Sequence, residues 1–132
     1  MITLVDSSVW IDFFNGRPSP QALYFRSRLR EQIFLTGDLM LAEVLQGFRD
    51  DREFEAARSA MLRFEIVELG GEQAAVRSAR HYRLLRSKGV TVRSAIDCLV
   101  ATYCITHNCA LLHSDRDYSH YERYLGLRIA RE

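Results

Sequence analysis

Lysine is almost absent from this chain of 132 residues, whose 18 cationic side chains are seventeen arginines and the single Lys88. Arginine grips a phosphate through two parallel N–H bonds where lysine offers a point charge. The bias therefore suits a nucleic-acid partner, although codon usage in a GC-rich genome would produce the same imbalance. Proline is scarce as well, with two residues, and no low-complexity tract occurs, so the composition of a disordered chain is excluded. Long apolar runs are missing: Leu39 to Ala42 and Ala110 to Leu112 fall far short of the ~20 residues that cross a bilayer, and no membrane association is expected. The opening Met1-Ile2-Thr3-Leu4-Val5-Asp6 has no basic segment and meets an acid directly after its apolar stretch, which argues against a secretory signal and for the cytoplasm. Cys98, Cys104 and Cys109 are odd in number and form no C-x-x-C pair, so reduced core cysteines are the expectation. A zinc site with His107 or His113 is the weaker alternative, because its spacing matches no structural zinc pattern.

What the chain does have is enough apolar material to fold. Hydrophobic residues make up 48% and aromatic residues 11%, and the length suits one domain over residues 1–132. Ile2 to Val5 reads as a short buried strand, and Asp6-Ser7-Ser8 supplies helix N-cap chemistry ahead of Val9, Trp10, Ile11, Phe13 and Phe14. After the Gly16-Arg17-Pro18-Ser19-Pro20 break a helix is predicted over 21–31, then a strand over 33–36 and a helix from the Gly37-Asp38 cap to about Gln46. Helical patterns over 51–64 and 72–87 flank a strand at 66–69. A helix from about Ser94 to His107, a strand over 110–113, a short helix over 118–125 and a last strand over 127–130 complete the pattern. Short apolar strands alternating with helices predict an α/β fold, a three-layer α/β/α sandwich around a mostly parallel sheet.

The acids are the unusual feature. Asp6 ends a hydrophobic strand, where open parallel sheets place their ligand crevices, although a helix N-cap alone would also want an Asp there. Glu43 is the only charge in the apolar run Leu39 to Leu45. Asp97 has Val100, Ala101 and Cys104 at i+3, i+4 and i+7, so its carboxylate lies on an apolar stripe. A carboxylate buried without a partner costs several kcal/mol or takes up a proton, so compensation is needed. Arg93, at i−4, could pair with Asp97 if the helix reaches back that far. Asp115 and Asp117 follow the strand that ends near His113 and, in an extended turn, would share a side with Arg116 pointing away; an Asx turn or helix cap is the alternative. A divalent cation accounts for all these positions together. Mg²⁺ takes oxygen ligands, keeps several waters and suits carboxylate clusters that meet phosphate substrates.

Four stretches in order carry a resemblance: Asp6-Ser7-Ser8-Val9-Trp10-Ile11-Asp12, Leu41-Ala42-Glu43-Val44-Leu45-Gln46-Gly47, Ile96-Asp97-Cys98-Leu99-Val100-Ala101, and Leu111-Leu112-His113-Ser114-Asp115-Arg116-Asp117-Tyr118. In these the sequence resembles the PIN-domain family and, within it, the VapC-type toxins of bacterial toxin-antitoxin pairs, over essentially its full length. Ser7 stands where Thr is common and Tyr118 where Phe is common. The resemblance implies a PIN-like nuclease domain over residues 1–132. It also implies a metal-dependent endoribonuclease that uses Mg²⁺, or Mn²⁺, to activate water, a homodimer, and a small cognate antitoxin. The catalytic positions carried over are Asp6, Glu43, Asp97 and Asp115. Asp6, Asp97 and Asp115 would ligate the metal and Glu43 would reach it directly or through water, with Ser7, Ser8 and Asp117 in support; either Asp115 or Asp117 could be the fourth acid, and Asp115, nearer the strand, is favoured.

Arg77, Arg80, Arg83 and Arg86 recur every three residues, but each step falls ~60° short of a full turn, so they spread over about half the helix. A solvated face fits that spread at least as well as an RNA track; Arg93, Arg77 and Arg80 are the candidate RNA contacts. A phosphoacceptor receiver domain would need a strand-end lysine, and Lys88 follows a helix. A haloacid-dehalogenase-type phosphatase would want D-x-D where this chain has Asp6-Ser7-Ser8. The remaining alternatives are a catalytically silent PIN-like binding module and a PIN nuclease acting on DNA or in RNA processing.

Overall fold

In the computed structural model, which describes residues 1–131, four short strands form one parallel sheet. They are β1 (Ile2–Val5), β2 (Ile33–Gly37), β3 (Glu65–Val67) and β4 (Ala110–Leu112), in the order β3-β2-β1-β4. Every pairing is parallel. The helices are α1 (Ser7–Phe14), α2 (Pro20–Ser27), α3 (Asp38–Leu45), α4 (Asp51–Met61), α5 (Glu72–Ser87), α6 (Ala95–His107) and α7 (Ser119–Leu125).

Alternation along the strands divides the core in two. Leu4, Leu35 and Leu111 pack with Leu85 of α5, Val100 and Cys104 of α6 and Tyr121 of α7. Their neighbours Val5, Phe34, Ala110 and Leu112 pack instead with Trp10 of α1, Phe25 of α2, Val44 of α3 and Met61 of α4. Successive strand side chains point to opposite faces, so two buried clusters on one sheet require helices on both sides, and the predicted three-layer arrangement follows. Trp10 anchors the second cluster, with its ring centroid 5.0 to 6.0 Å from those of Phe13, Phe14, Phe25 and Phe64.

Strand order sets the position of the site. From β1 the chain steps outward to β2 and β3 in one direction, while β4 returns on the other side of β1. The carboxyl end of β1 is therefore the point where the strand order reverses, the place where open α/β sheets leave a crevice. Val5 pairs with Leu112, and the Asp6 amide donates to the Leu112 carbonyl at 2.9 Å, so the ladder delivers Asp6 to that point.

Some boundaries differ from those expected of the sequence. The helix predicted to reach Glu31 ends at Ser27, because the amides of Glu31 and Gln32 turn back to the Arg28 carbonyl and redirect the chain into β2. The helix predicted to run to Phe64 ends at Met61, where the Phe64 amide closes a turn onto the Met61 carbonyl. The third strand covers Glu65–Val67 rather than 66–69, since the Leu69 amide donates to the Asp38 side chain at 3.1 Å instead of to a ladder. Residues 127–130 form no strand: Ile129 makes an isolated bridge to Leu111, flanked by hydrogen bonds to Arg128 and from Ala130. The short helix begins at Ser119, after a 3₁₀ turn over Arg116–Tyr118.

Gly37 ends β2 and caps α3. A Cβ there would lie 2.4 Å from Leu69 Cδ1 and 2.8 Å from Met40 Sδ, both on buried side chains. Gly37→Ala is expected to destabilise the fold by about 1–3 kcal/mol, the range for overpacking a close-packed core. Urea denaturation reads this as a lowered midpoint with unchanged slope; an unaltered midpoint would show that the contact relaxes freely.

Candidate active site

Asp6 is 5% exposed and works as the N-cap of α1. Its Oδ2 accepts from the Ser8 amide at 3.1 Å and from the Ser8 hydroxyl at 2.6 Å. Ser8 Oγ in turn accepts from the Ser114 amide at 3.2 Å, which ties the start of α1 to the loop after β4. Asp6 is therefore a helix cap whose other oxygen stays available to the site.

Glu43, on α3, is half-buried and accepts from the Ser7 hydroxyl at 3.3 Å. Burial raises its pKa, the neighbouring Asp6 charge adds to the rise, and the Ser7 bond opposes it. Asp97 lies in the first turn of α6 and its carboxyl is pushed up to about 6. Burial is the main cause, followed by the charges of Asp6 and Asp115 and, more weakly, Glu43, with a hydrogen bond from Tyr118 pulling the other way. The Tyr118 hydroxyl bridges Asp97 to Asp6, and Glu43 is tied through Ser7 to the start of the helix that Asp6 caps, so both lie near Asp97 but outside its close carboxylate group with Asp115 and Asp117.

Asp115 and Asp117 are both present at this corner. Asp115 Oδ1 accepts from the Asp117 amide at 3.0 Å, an Asx cap on the 3₁₀ turn. Asp97, Asp115 and Asp117 each offer one carboxylate oxygen, and these lie within 4.8 Å of one another. An all-oxygen, all-carboxylate set fits a hard divalent cation such as Mg²⁺ or Mn²⁺. No Cys and His set of that kind occurs among the described residues, and Cys98, Cys104 and Cys109 are buried free thiols.

The ion pair between Arg93 and Asp97 does not form. Helix α6 starts at Ala95, capped by Ser94 Oγ, which accepts from the Asp97 amide at 3.3 Å. Arg93 precedes the helix, is exposed, and lines a small crevice with Asp97, Asp117 and His120. Arg77 and Arg80 are exposed on α5; Arg77 borders a separate groove of about 550 Å³ with Glu68, Tyr103 and His107, which contains none of the four acids. A larger groove of about 730 Å³, between α2 and Ala130, also lacks them.

Sequence reasoning missed two groups here. Tyr118, fully buried, places its hydroxyl 3.1 Å from Asp6 Oδ1 and 3.2 Å from Asp97 Oδ1. His113 accepts from the Asp115 amide through Nδ1 at 3.1 Å, which leaves its proton on Nε2, and burial lowers its pKa. Its ring lies 4.8 Å from that of Tyr118. In the sequence the only signals were a phenol and an imidazole flanking Asp115.

A family model for the PIN domain matches residues 3–124. The chain belongs to the PIN domain family. Over 129 residues this PIN domain is 28% identical to ribonuclease VapC11 of Mycobacterium tuberculosis and to a VapC ribonuclease of Mycobacterium bovis, with 96% of each chain covered. Its fold is similar to that in the crystal structure of VapBC2 from Rickettsia felis bound to a promoter DNA fragment, with a TM-score of 0.79, 17% identity, and 99% and 98% of the two chains covered. It is also similar to the sarcin-ricin-loop-cleaving toxin VapC20 of Mycobacterium tuberculosis, with a TM-score of 0.71, 15% identity, and 98% and 99% covered.

The raised pKa of Asp97 makes a stability prediction. The folded state holds this proton more tightly than the unfolded chain, so stability present at low pH is lost as pH rises through about 6. In chelator, the melting temperature of the wild type is expected to fall relative to Asp97→Asn between about pH 4 and about pH 6, leaving Asp97→Asn the more stable at neutral pH. Parallel melting curves across that window would contradict it.

Proposed function

We propose that this PIN domain is a divalent-cation-dependent endoribonuclease acting as the toxin of a toxin-antitoxin pair, one nuclease domain over residues 1–132. The observation that carries the reading is the carboxylate group of Asp97, Asp115 and Asp117, joined to Asp6 through the Tyr118 hydroxyl at the point where the strand order reverses. The VapC relatives, matched over nearly their whole length, support ribonuclease action, and the VapBC structures support an antitoxin partner.

Asp6, Asp97 and Asp115 would hold Mg²⁺ or Mn²⁺, with Asp117 beside Asp115 and Glu43 reaching the ion directly or through water. Bound there, the ion would supply Lewis-acid neutralisation of phosphoryl charge and a more acidic water. Ser8 fixes the Asp6 carboxylate through two hydrogen bonds. Glu43, held by Ser7 and made more basic by its surroundings, is placed to accept a proton from the attacking water. Arg93, exposed and lining a crevice with Asp97 and Asp117, would meet a substrate phosphate, whereas the groove that Arg77 borders holds none of the four acids. Exposed Val76 and Leu84, about 80° apart on α5, would contribute to a homodimer contact. The RNA would be met in the cytoplasm; among the described residues no helix is long and apolar enough to cross a membrane.

With water as nucleophile the ribose 2′-hydroxyl takes no part. Purified protein with Mg²⁺ or Mn²⁺ is expected to cut RNA, leaving 5′-phosphate and 3′-hydroxyl ends, and Asp97→Asn is expected to lose cleavage while staying folded. Cyclic 2′,3′-phosphate ends, cleavage of DNA in preference to RNA, or full activity of Asp97→Asn would each overturn the reading. Arg93→Ala, in an Asp97→Asn background, is expected to weaken RNA binding and to reduce the logarithmic salt slope by about 0.7, the value for one phosphate contact on a single strand. An unchanged slope would remove Arg93 from the substrate path.

A further inference from the structure

The Tyr118 hydroxyl touches two acids at once, Asp6 Oδ1 at 3.1 Å and Asp97 Oδ1 at 3.2 Å, from a ring that has no exposed surface. The core decides where that oxygen sits. The Tyr118 ring packs against His113 at 4.8 Å and Tyr121 at 5.7 Å, and its backbone belongs to the 3₁₀ turn capped by Asp115. Asp6 is held independently, because Ser8 binds its other oxygen twice. Asp97 is not: among the described residues, the hydrogen bond to its carboxylate comes from Tyr118. A half-buried carboxylate with no other donor would otherwise turn about its side-chain torsions, away from the charges of Asp6 and Asp115.

We propose that Tyr118 is a positioning residue of the metal centre, whose hydroxyl fixes the Asp97 carboxylate against Asp6 so that an Asp97 oxygen stays beside those of Asp115 and Asp117. The proposal rests on the metal-dependent reading above. Donors behind the ligands of a metal orient them, and their loss typically weakens affinity by about 10- to 100-fold. The phenol does this from inside the core, so the orientation of a surface-facing ligand is set by packing on the α5–α7 side of the sheet.

The test is Mn²⁺ binding by calorimetry on the full chain, well below the melting temperature, for wild type, Tyr118→Phe and Asp97→Asn. Tyr118→Phe keeps the ring and removes only the hydroxyl, and its Mn²⁺ Kd is expected to rise by at least about 10-fold, with Asp97→Asn losing binding further. A purely structural role would lower the melting temperature of Tyr118→Phe and leave its Kd alone; that result overturns the proposal while the metal centre stands. Wild-type affinity in Asp97→Asn, or no binding by the wild type, overturns the metal reading and the proposal with it. Should Tyr118→Phe not fold, Mg²⁺ is titrated into wild-type protein carrying tyrosine labelled with ¹³C at Cζ. The Tyr118 resonance is expected to move and to saturate with the metal; an unmoved resonance overturns the proposal.

Discussion

Carboxylates brought to one corner of a protein repel one another, and much of this fold serves to hold that repulsion in place. Asp97 carries the charges of Asp6, Asp115 and Glu43 on top of its own burial. The groups set against this load are hydroxyls and amides: Ser8 twice on Asp6, Ser7 on Glu43, Tyr118 across Asp6 and Asp97, and the Asp117 amide on Asp115. No arginine or lysine forms an ion pair with these four acids among the described residues. Neutral donors ease the desolvation of a carboxylate without cancelling its charge. The corner therefore stays negative, which is the electrostatic condition the proposed cation would answer.

The scaffold makes such a corner sustainable. Strand alternation gives the sheet a buried cluster on each face, and each cluster clamps part of the site. The aromatic group around Trp10 fixes α1, which starts at Asp6 and carries Ser7 and Ser8. The opposite cluster fixes α6 and the Tyr118 turn, which carry Asp97, Asp115 and Asp117. The acids meet at the rim between the two clusters, so the backbone that carries them is held from both faces of the sheet.

What the sequence made legible was whatever depends on neighbours along the chain. Glu43 and Asp97 stood out because a lone charge in an apolar helix is costly wherever the helix packs, and the strand–helix rhythm announced parallel strands covered on both faces. What stayed hidden depends on contacts across the chain. The helical pattern runs on past Ser27, but a turn at Arg28 is needed to enter β2, and tertiary demand prevails over local propensity there. Arg93 and Asp97 have the spacing of an ion pair only if one helix contains both, and the Ser94 cap separates them. The role of Tyr118 is not legible because nothing local reveals that its hydroxyl lands between two acids, one of them 112 residues earlier.

That separation has a consequence in time. Ser8 and Ser114, 106 residues apart, are joined by a hydrogen bond, and Tyr118 closes the same circuit onto Asp6. A polypeptide emerging from the ribosome presents Asp6 long before Tyr118, which follows it by 112 residues. Contacts so distant along the chain form late, after their loop has been closed. A half-made chain holds the first acids without the last, so the carboxylate corner is completed only once the turn that carries Tyr118 has been synthesised.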